Sequence, residues 1–475
     1  MNATAREHPN PPTQPDVSRR TLLGGGVMLG TALLMGSGPG GVLARPVSRP
    51  HRADGPARNV IFLVTDGCSQ GTLTLADQFC RQHFGRESHW VTLMRRPGVR
   101  RGLMATSSAD SITPDSAAAG SAWGIGRKVN NGQINRLPDG TLPEPILVTA
   151  RRSGKSTGLV TTTRVTHATP ASFIANVDAR GDEASIARQM LERGVDVMLG
   201  GGGRFFPDTL LSEFPEVQVV RRASELGSAP ESGRLLGLFH ADSLPFVPDR
   251  GPDHPTLPQM TEVALQRLSK NPDGFVLQVE GARVDHAAHA NDAVSLVRDQ
   301  LEFDEAVAAA LRFAGGRDDT LVIVTTDHGN ANPGMTLYRE NARSGLQRLA
   351  QVGHGFEWVE AQLRAVGSDG DAALERLLAV LTEVYGYTPT EADRDALGRA
   401  VRRQPVIPFR GSAGLQGVLA SVLANHFGIS FMSGNHTSDH VECTAWGPGA
   451  DALPPVLENT ELHGLMLAAT GMVVR

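Results

Sequence analysis

The side chains that could do chemistry in this chain are metal-competent residues at the ends of predicted strands, gathered around one serine. The eight are Asp66, Thr169, Glu280, Asp285, His289, Asp327, His328 and His436. Carboxylates, imidazoles and a hydroxyl together suit a mixed site for zinc and magnesium. The serine is Ser116, in the segment Pro114-Asp115-Ser116-Ala117-Ala118. Because a serine held against such metals is a nucleophile for phosphoryl transfer, the set predicts a metal-dependent phosphatase.

Short apolar runs predict the strands that would position these residues. They cover residues 59–65, 156–162, 196–199, 274–279 and 320–325. Helical patterns lie between them, at residues 182–192, 259–269 and 301–313. Such alternation is typical of an α/β fold with a central, mostly parallel sheet and helices on both faces. Binding sites in these sheets form at the carboxyl ends of the strands, so Asp66, Glu280 and Asp327 would meet at one edge.

The spacing within this set supports metal binding, although each piece also has an ordinary structural explanation. Asp285 and His289 are four residues apart, so a helix would place both on one face, where such a pair is usually solvated. Asp327 and His328 follow a very apolar strand, where the aspartate could instead cap a helix. Ser116 precedes small residues that predict a helix, and the N-terminus of a helix favours a bound phosphate. The alternative is that Asp115 or Ser116 only caps this helix. We favour ligation because another aspartate holds the same place after the first strand.

Residues 334–432 lack this alternation of apolar strands and helices. They contain one helical segment, at residues 371–385, and joints rich in proline and glycine around residues 404–417. We therefore expect an insertion on a core domain that as a whole covers residues 58–475. A chain of 475 residues is long enough to bury a large core.

The composition excludes several other classes of protein. The net charge is -5, no basic stripe stands out and only 5% of residues are aromatic, which argues against nucleic-acid binding. Cys68, Cys80 and Cys443 allow at most one internal disulfide, so the chain is no disulfide framework.

The first 44 residues predict an export signal of the twin-arginine type. Arg19 and Arg20 precede a short, glycine-rich apolar stretch over residues 22–35, and residues 42–44 offer a small-residue cleavage site. The alternative is a chance arginine pair ahead of an ordinary secretory signal. The apolar stretch is short for a membrane span, which needs roughly 20 residues. Residues 45–57 predict a linker, and we expect a periplasmic or secreted protein with no membrane partner in its mature form.

Several of these segments together resemble the alkaline phosphatase family. The matching segments are residues 59–67, 113–119, 163–171, 278–285 and 324–328. The resemblance covers most of the chain from about residue 59 to residue 448, and the last two segments match almost letter for letter. It places the family's phosphate-binding arginine on Arg180, and its last zinc histidine on His436 rather than His440. It implies an alkaline phosphatase-like sandwich and a homodimer.

The resemblance also assigns roles to the residues. It implies a first zinc ion on Asp285, His289 and His436. It implies a second zinc ion on Asp66, Asp327 and His328, with Ser116 as the nucleophilic ligand, and a magnesium ion on Asp66, Thr169 and Glu280. Asp115 would orient Arg180. His167 and His286 stand beside these ligands, where the best-studied bacterial members carry an aspartate and a lysine, which bears on the identity of the third metal.

The activity that this resemblance implies is hydrolysis of small phosphate monoesters through a phosphoserine intermediate, with release of inorganic phosphate. Two alternatives stay open at this point. A phosphodiesterase or other phosphoryl transferase of the same superfamily would often use threonine as the nucleophile and lack the third metal site. A non-catalytic periplasmic phosphate- or metal-binding protein would show no turnover.

Overall fold

The computed structural model describes residues 56–230, 232–367, 369–406 and 414–474. The predicted signal peptide, residues 1–44, and all but the last two residues of the predicted linker lie outside the described residues. Among the helices that the structure describes, none is long and apolar enough to cross a lipid bilayer.

The described residues contain fourteen strands and seventeen α-helices. The strands are β1 Asn59–Thr65, β2 Arg100–Ala105, β3 Ser156–Arg164, β4 Val197–Gly201, β5 Val217–Val220, β6 Arg234–Leu238, β7 Phe275–Gly281, β8 Thr320–Thr325, β9 Gly329–Asn330, β10 Gly334–Met335, β11 Ile429–Ser430, β12 His436–Thr437, β13 Val441–Trp446 and β14 Val456–Glu458. The helices are α1 Gln70–His83, α2 His89–Met94, α3 Ser116–Ile125, α4 Ile146–Arg152, α5 Ala168–Ser172, α6 Glu183–Glu192, α7 Asp208–Leu211, α8 Ala223–Leu226, α9 Leu257–Leu268, α10 Arg283–His289, α11 Ala293–Ala314, α12 Glu340–Gln351, α13 Phe356–Ala365, α14 Gly370–Glu383, α15 Glu391–Val401, α16 Leu415–Phe427 and α17 Glu461–Thr470.

Ten of the strands form one sheet, in the order β14-β2-β13-β8-β1-β7-β3-β4-β6-β5. Every neighbouring pair is parallel except the two pairs made by β13, which runs antiparallel to β2 and β8. Side chains of β1 alternate between two apolar cores: Phe62 packs on Trp123 and Phe173, whereas Leu63 belongs to the core that contains Phe303 of α11. Helices therefore cover both faces of the sheet, and the predicted α/β fold is confirmed.

The predicted elements lie close to their expected places, with one clearly different boundary. Strands β1 and β8 have the predicted limits. The helix predicted at residues 301–313 is only the C-terminal part of α11, which begins at Ala293. The Asp292 side chain caps α11 by accepting hydrogen bonds from Val294 N and Ser295 N. The first turns bury polar side chains such as Gln300, so the apolar pattern in the sequence begins too late.

Residues 334–432, for which we keep the name insertion, contain helices α12 to α16 and the short strands β10 and β11. The sequence pattern predicted only α14 among these helices. The helices bury an apolar cluster that includes Leu377 and Leu397 and continues to Phe79 of α1. The first residue of α13 is fixed to the core, since Phe356 N donates to Asp292 Oδ2 at 2.7 Å.

Candidate active site

Neighbouring parallel strands bring the predicted ligands to one edge of the sheet. Strands β8, β1 and β7 are adjacent, and Val64 of β1 is level with both Thr325 of β8 and Glu280 of β7. Asp66 follows β1 and Asp327 follows β8. All three carboxylates are fully buried. The register of the parallel strands therefore gathers acidic groups that are far apart in the sequence, as the sequence predicted.

The first group of ligand atoms comes from Asp285, His289 and His436, which lie within 4.8 Å of one another. The Nε2 atoms of His289 and His436 lie 3.3 and 3.4 Å from the carboxylate oxygens of Asp285. On the far side of each ring, His289 Nδ1 donates to Gly434 O at 2.7 Å and His436 Nδ1 donates to Pro114 O at 2.8 Å. These carbonyls hold each Nδ1 as a donor, so Nε2 is the nitrogen of each ring that is left to face the carboxylate and to bind a metal ion. The arrangement suits a zinc ion.

The second group combines Asp66, Asp285 and His328, so Asp285 is shared with the first group. His328 is fully buried, and its Nε2 lies 3.2 Å from Asp327 Oδ2 and 3.7 Å from Asp66 Oδ1. Ser116 Oγ lies 3.4 Å from the same nitrogen. The predicted nucleophile thus lies beside the imidazole of His328, whose Nε2 also faces the carboxylates of Asp66 and Asp327.

The third group consists of Asp66, Glu280 and His167. Thr169 is held against the same strand, because Gln278 of β7 donates to its backbone oxygen at 3.2 Å. Glu280 Oε1 and Thr169 Oγ1 are buried and have no hydrogen-bond partner among the described residues. Two oxygen atoms of this kind beside Asp66 suit a hard cation such as Mg²⁺.

His167 belongs to this third group, but only one of its ring nitrogens has a hydrogen-bond partner, since Nδ1 is buried without one among the described residues. Arg180 Nη2 lies 3.1 Å from His167 Nε2, and a guanidinium can only donate, so Nε2 is the acceptor. Burial and the nearby Arg180 lower the pKa of His167 well below its usual value, so the ring is neutral and carries its proton on Nδ1. Neither nitrogen then offers a free lone pair. In this arrangement His167 stands beside the metal ligands and is not one of them.

The carboxylates at this edge have too few donors to balance them. Burial, reinforced by Asp327 and Asp285, raises the pKa of Glu280 to about 7. Burial also raises the pKa of Asp327 to about 6. Both oxygens of Asp66, together with Asp327 Oδ2, are buried without a hydrogen-bond partner among the described residues. Such atoms are costly unless a cation binds them, so the residues fit a cluster of divalent metal ions.

Ser116 is the first residue of α3, and Asp115 organises its surroundings. Asp115 Oδ1 accepts a hydrogen bond from Ala118 N at 2.9 Å and caps the helix. Asp115 Oδ2 accepts one from Arg180 Nη1, also at 2.9 Å. The small residues of α3 allow a close approach to α5, because a Cβ on Gly124 would lie 2.0 Å from a backbone oxygen there. One carboxylate therefore fixes both the helix N-terminus and the guanidinium beside the serine.

The structure adds residues that the sequence did not single out. Asn330 Nδ2 donates to Asp285 Oδ1 at 2.7 Å. Arg283 Nη1 donates to Nδ1 of His286, whose ring lies edge-on to the ring of His167. Both added residues lie within three positions of a predicted site residue, which is the signal that could have found them. His440, the alternative zinc histidine, is exposed.

The fold and this edge of the sheet define a class. A parallel sheet covered by helices on both faces, with groups of buried metal-competent side chains around a serine, is the architecture of a metal-dependent phosphoryl-transfer enzyme. The family model described as alkaline phosphatase matches residues 57–472, and the chain belongs to the alkaline phosphatase family. It is therefore a phosphoric monoester hydrolase.

Known proteins agree with this membership in sequence and in structure. The crystal structure of Thermus thermophilus alkaline phosphatase is 32% identical, covers 92% of this chain and 97% of its own, and superimposes with a TM-score of 0.80. Alkaline phosphatase 3 of Bacillus subtilis is 28% identical over 85% of this chain and 87% of its own length. Alkaline phosphatase of Escherichia coli is 30% identical over 65% of this chain and 79% of its own length.

Proposed function

We propose that this phosphatase acts through a phosphoserine on Ser116, in a site that holds two zinc ions and one magnesium ion. The observation that carries the proposal is the position of Ser116 Oγ, 3.4 Å from His328 Nε2 at the edge where the carboxylates converge. A hydroxyl there is placed to attack phosphorus, and the N-terminus of α3 favours the negative charge of the phosphate.

The donor sets distinguish the three ions. The first zinc ion would be held by Asp285, His289 and His436, and the second by Asp66, Asp327, His328 and Ser116. The magnesium ion would be held by Asp66, Thr169 and Glu280. Ions bound there would supply Lewis-acid stabilisation of the phosphate oxygens and of the serine oxygen.

The chain's own residues bind and orient the phosphate. Arg180 would donate through its planar fork to two phosphate oxygens, which a point charge such as lysine cannot do as well. Asp115 holds Arg180 from one side and His167 holds it from the other, so the guanidinium enters the reaction already oriented. Ser116 then attacks phosphorus in line and carries the phosphoryl group until water removes it.

Magnesium at the third site is supported by the ligand chemistry, since the oxygens of Asp66, Glu280 and Thr169 suit a hard cation. Solved variants of alkaline phosphatase from the Antarctic bacterium TAB5, in which one histidine is replaced by aspartate or by glutamate, hold Mg in a site named M3. For this chain we propose that the neutral ring of His167 leaves one negative charge fewer than a carboxylate would, so magnesium binds weakly and zinc competes for the site.

The decisive experiment compares an aryl phosphate with the aryl phosphodiester of the same phenol. Enzyme reloaded with zinc and magnesium should release phenol from the monoester far faster than from the diester, and chelation should abolish that release. Faster diester cleavage would instead identify a phosphodiesterase. Binding of phosphate without release from either ester would identify a non-catalytic binding protein.

We also propose export through the twin-arginine route to the periplasm or beyond, and assembly of the mature chain into a homodimer. Replacing Arg19 and Arg20 by lysine should stop export of folded enzyme, whereas unchanged export would identify a general secretory signal. Light scattering of the mature protein should give twice the mass of one chain, and the mass of a single chain would overturn the dimer.

A further inference from the structure

His286 lies one aromatic ring away from the guanidinium that we propose to bind phosphate. It follows Asp285 on α10 and is half-buried. Its ring centroid lies 5.8 Å from that of His167, with the two planes at 87°. Nε2 of His167 in turn lies 3.1 Å from Arg180 Nη2. A hydrogen-bond donor on His286 would therefore lie close to the pair of His167 and Arg180.

The contact with Arg283 decides which nitrogen of His286 carries the proton. Arg283 Nη1 lies 2.6 Å from His286 Nδ1. Because a guanidinium has donors and no acceptor, Nδ1 must present its lone pair. A neutral ring with a lone pair on Nδ1 carries its proton on Nε2. Within the part of the chain that the structure describes, no residue forms a hydrogen bond with this Nε2, so the N–H is available to a ligand.

Arg283 is itself fixed by residues outside α10. Arg283 Nη2 donates to Glu357 Oε2 at 2.7 Å, and Glu357 belongs to α13 of the insertion. The guanidinium carbon lies 3.7 Å from the centroid of the Phe246 ring, and the Arg283 side chain is only 6% exposed. The insertion thus supplies the carboxylate that orients an arginine of the core domain.

We propose that Arg283 and Glu357 are positioning residues that hold His286 in the tautomer with its proton on Nε2, so that the ring presents one donor beside His167 and Arg180. This inference rests on the proposed function, because it takes Arg180 as the phosphate-binding group. His167 has the opposite tautomer, because Arg180 donates to its Nε2. Two arginines thus fix two adjacent histidines in opposite proton arrangements.

The direct test is the tautomer itself. Metal-loaded enzyme labelled with ¹⁵N in histidine is examined by long-range proton–nitrogen correlation, and His286 is assigned from the signals lost in His286→Asn. The expected spectrum shows a protonated Nε2 and an unprotonated Nδ1. A proton on Nδ1, or on both nitrogens, would overturn the inference. This measurement needs no turnover, so it stands apart from the test of the phosphoserine. If His286 shows the expected tautomer but labelled phosphate marks a residue other than Ser116, only the proposed function is wrong.

Variants add a kinetic readout. Arg283→Met should populate both tautomers and raise KM and the inhibition constant of inorganic phosphate by about tenfold, with a smaller change in kcat. Arg283→Lys, which keeps a cationic donor, should restore part of the affinity. Glu357→Ala, which leaves the core domain intact, should move the constants in the same direction by less. An unchanged tautomer in Arg283→Met would overturn the role of Arg283.

A matched control separates positioning from a general loss of ion pairs. Arg394 and Glu375 form a 2.8 Å ion pair on the surface of the same insertion, between α15 and α14. Arg394→Met should leave the tautomer of His286 and the phosphate constants unchanged. If it weakens phosphate binding as much as Arg283→Met does, the effect comes from the stability of the insertion, and the positioning role is wrong.

Discussion

The edge of the sheet and the insertion bury different kinds of side chain. At the edge, apolar strands end in the fully buried carboxylates of Asp66 and Asp327. Both oxygens of Asp66 and Oδ2 of Asp327 have no hydrogen-bond donor among the described residues. In the insertion, helices bury aliphatic side chains such as Leu377 and Leu381. Burial of apolar surface stabilises folding by itself, whereas burial of unpaired carboxylates opposes it until a cation binds. The edge therefore depends on metal for its stability, and the insertion depends on packing.

The two regions also differ in how their carboxylates are satisfied. Asp292, at the joint between α11 and the insertion, accepts hydrogen bonds from the backbone of Ser295 and Phe356 and from the Ser295 hydroxyl. Asp66 accepts none among the described residues. A buried carboxylate that receives several donors acts as a structural joint, while one that receives none is suited to bind a metal ion.

The largest effect should come from removing the nucleophile at the edge. Ser116→Ala should lower phosphomonoester turnover by at least about a thousandfold, because the variant lacks the hydroxyl that accepts the phosphoryl group. Inorganic phosphate should still bind, since Arg180 and the metal ligands remain. The measurement is steady-state turnover with phosphate titration, and acid quenching of the parent enzyme with labelled phosphate should mark Ser116. A label on another side chain would contradict the assignment.

The next largest effect should come from a substitution in the insertion, which should lower the stability of the protein without changing its turnover. Leu377 is fully buried in the apolar cluster, so Leu377→Ala should lower the free energy of unfolding by about 2–5 kcal/mol. Turnover of the folded fraction should change little. Val366→Ala, at a residue that is 38% exposed, is the matched control and should cost far less. The free energy of unfolding is measured with urea, and turnover is measured at low temperature, where the variant stays folded. If Leu377→Ala loses turnover as well as stability, the insertion and the edge of the sheet are not independent.

Arg180 tests the edge without touching a metal ligand. Arg180→Ala should raise KM and weaken inhibition by inorganic phosphate by about 10- to 100-fold, since a charge-assisted hydrogen bond contributes about 1.5–3 kcal/mol. Arg188→Ala is the control, because Arg188 pairs with Glu213 on the surface of the protein, where such a pair contributes little. Phosphate inhibition that stays the same in Arg180→Ala would remove this residue from the binding site.

A smaller effect, dependent on pH, is expected at Asp299 of α11. Burial raises the pKa of Asp299 to about 7, although Arg250 opposes the rise. The folded state therefore keeps a proton that the unfolded chain loses near pH 4, and this residue costs stability as pH rises from about 4 to 7. Asparagine carries no charge, so Asp299→Asn should gain stability relative to the parent by at least about 1 kcal/mol over that range.

The measurement for Asp299 is urea unfolding of parent and variant at several pH values, with a chelator present throughout. Asp371→Asn is the control, because Asp371 is an exposed carboxylate that pairs with Arg402 on the insertion. Its stability relative to the parent should vary little with pH. A flat difference for Asp299→Asn as well would show that its carboxyl is already ionised in the folded protein across this range.

The smallest effect should come from His167→Asp at the third site. An added carboxylate should let magnesium bind several-fold more tightly and reduce activation by added Mg²⁺, because Mg²⁺ prefers oxygen ligands and negative charge. The parent should be activated by Mg²⁺ and inhibited by excess Zn²⁺. Activity is followed against Mg²⁺ concentration after chelation and reloading with two equivalents of zinc. Identical curves for the two proteins would show that His167 does not tune this site.

The sequence was sufficient for the parts of the fold with a strong local pattern. Strands β1 and β8 are continuous apolar runs with polar limits, and both were predicted correctly. Strand β2 was not predicted, because it alternates exposed and buried residues and includes two arginines. Its place in the sheet comes from pairing with β13, more than 300 residues later in the chain. Such pairing depends on tertiary contacts, which no local pattern records.

The candidate site also combines residues that a local sequence pattern could predict with residues that only tertiary contacts bring into place. Asp66 and Asp327 could be found from the strands that they follow. His436 lies in a strand of two residues, which has no periodicity, and only the family spacing pointed to it. The pair Arg283–Glu357 joins the core to the insertion across 74 positions of sequence. Contacts of that kind depend on how two separately patterned regions pack, and the structure was needed to find them.

The pairing of β12 with β9 brings His436, the last predicted ligand along the chain, to the edge of the sheet where Asp66, the first, also lies. This order has a consequence for biosynthesis. A ribosome adds about 5–20 residues per second, so roughly half a minute separates the synthesis of these two residues. During that interval the central strands exist without β13, and their apolar surface lacks its final neighbour. Of the three groups of ligand atoms, only the first contains His436, so it is the last that can be completed during synthesis. A partly made chain in this state exposes apolar surface and unpaired strand edges, which favour aggregation.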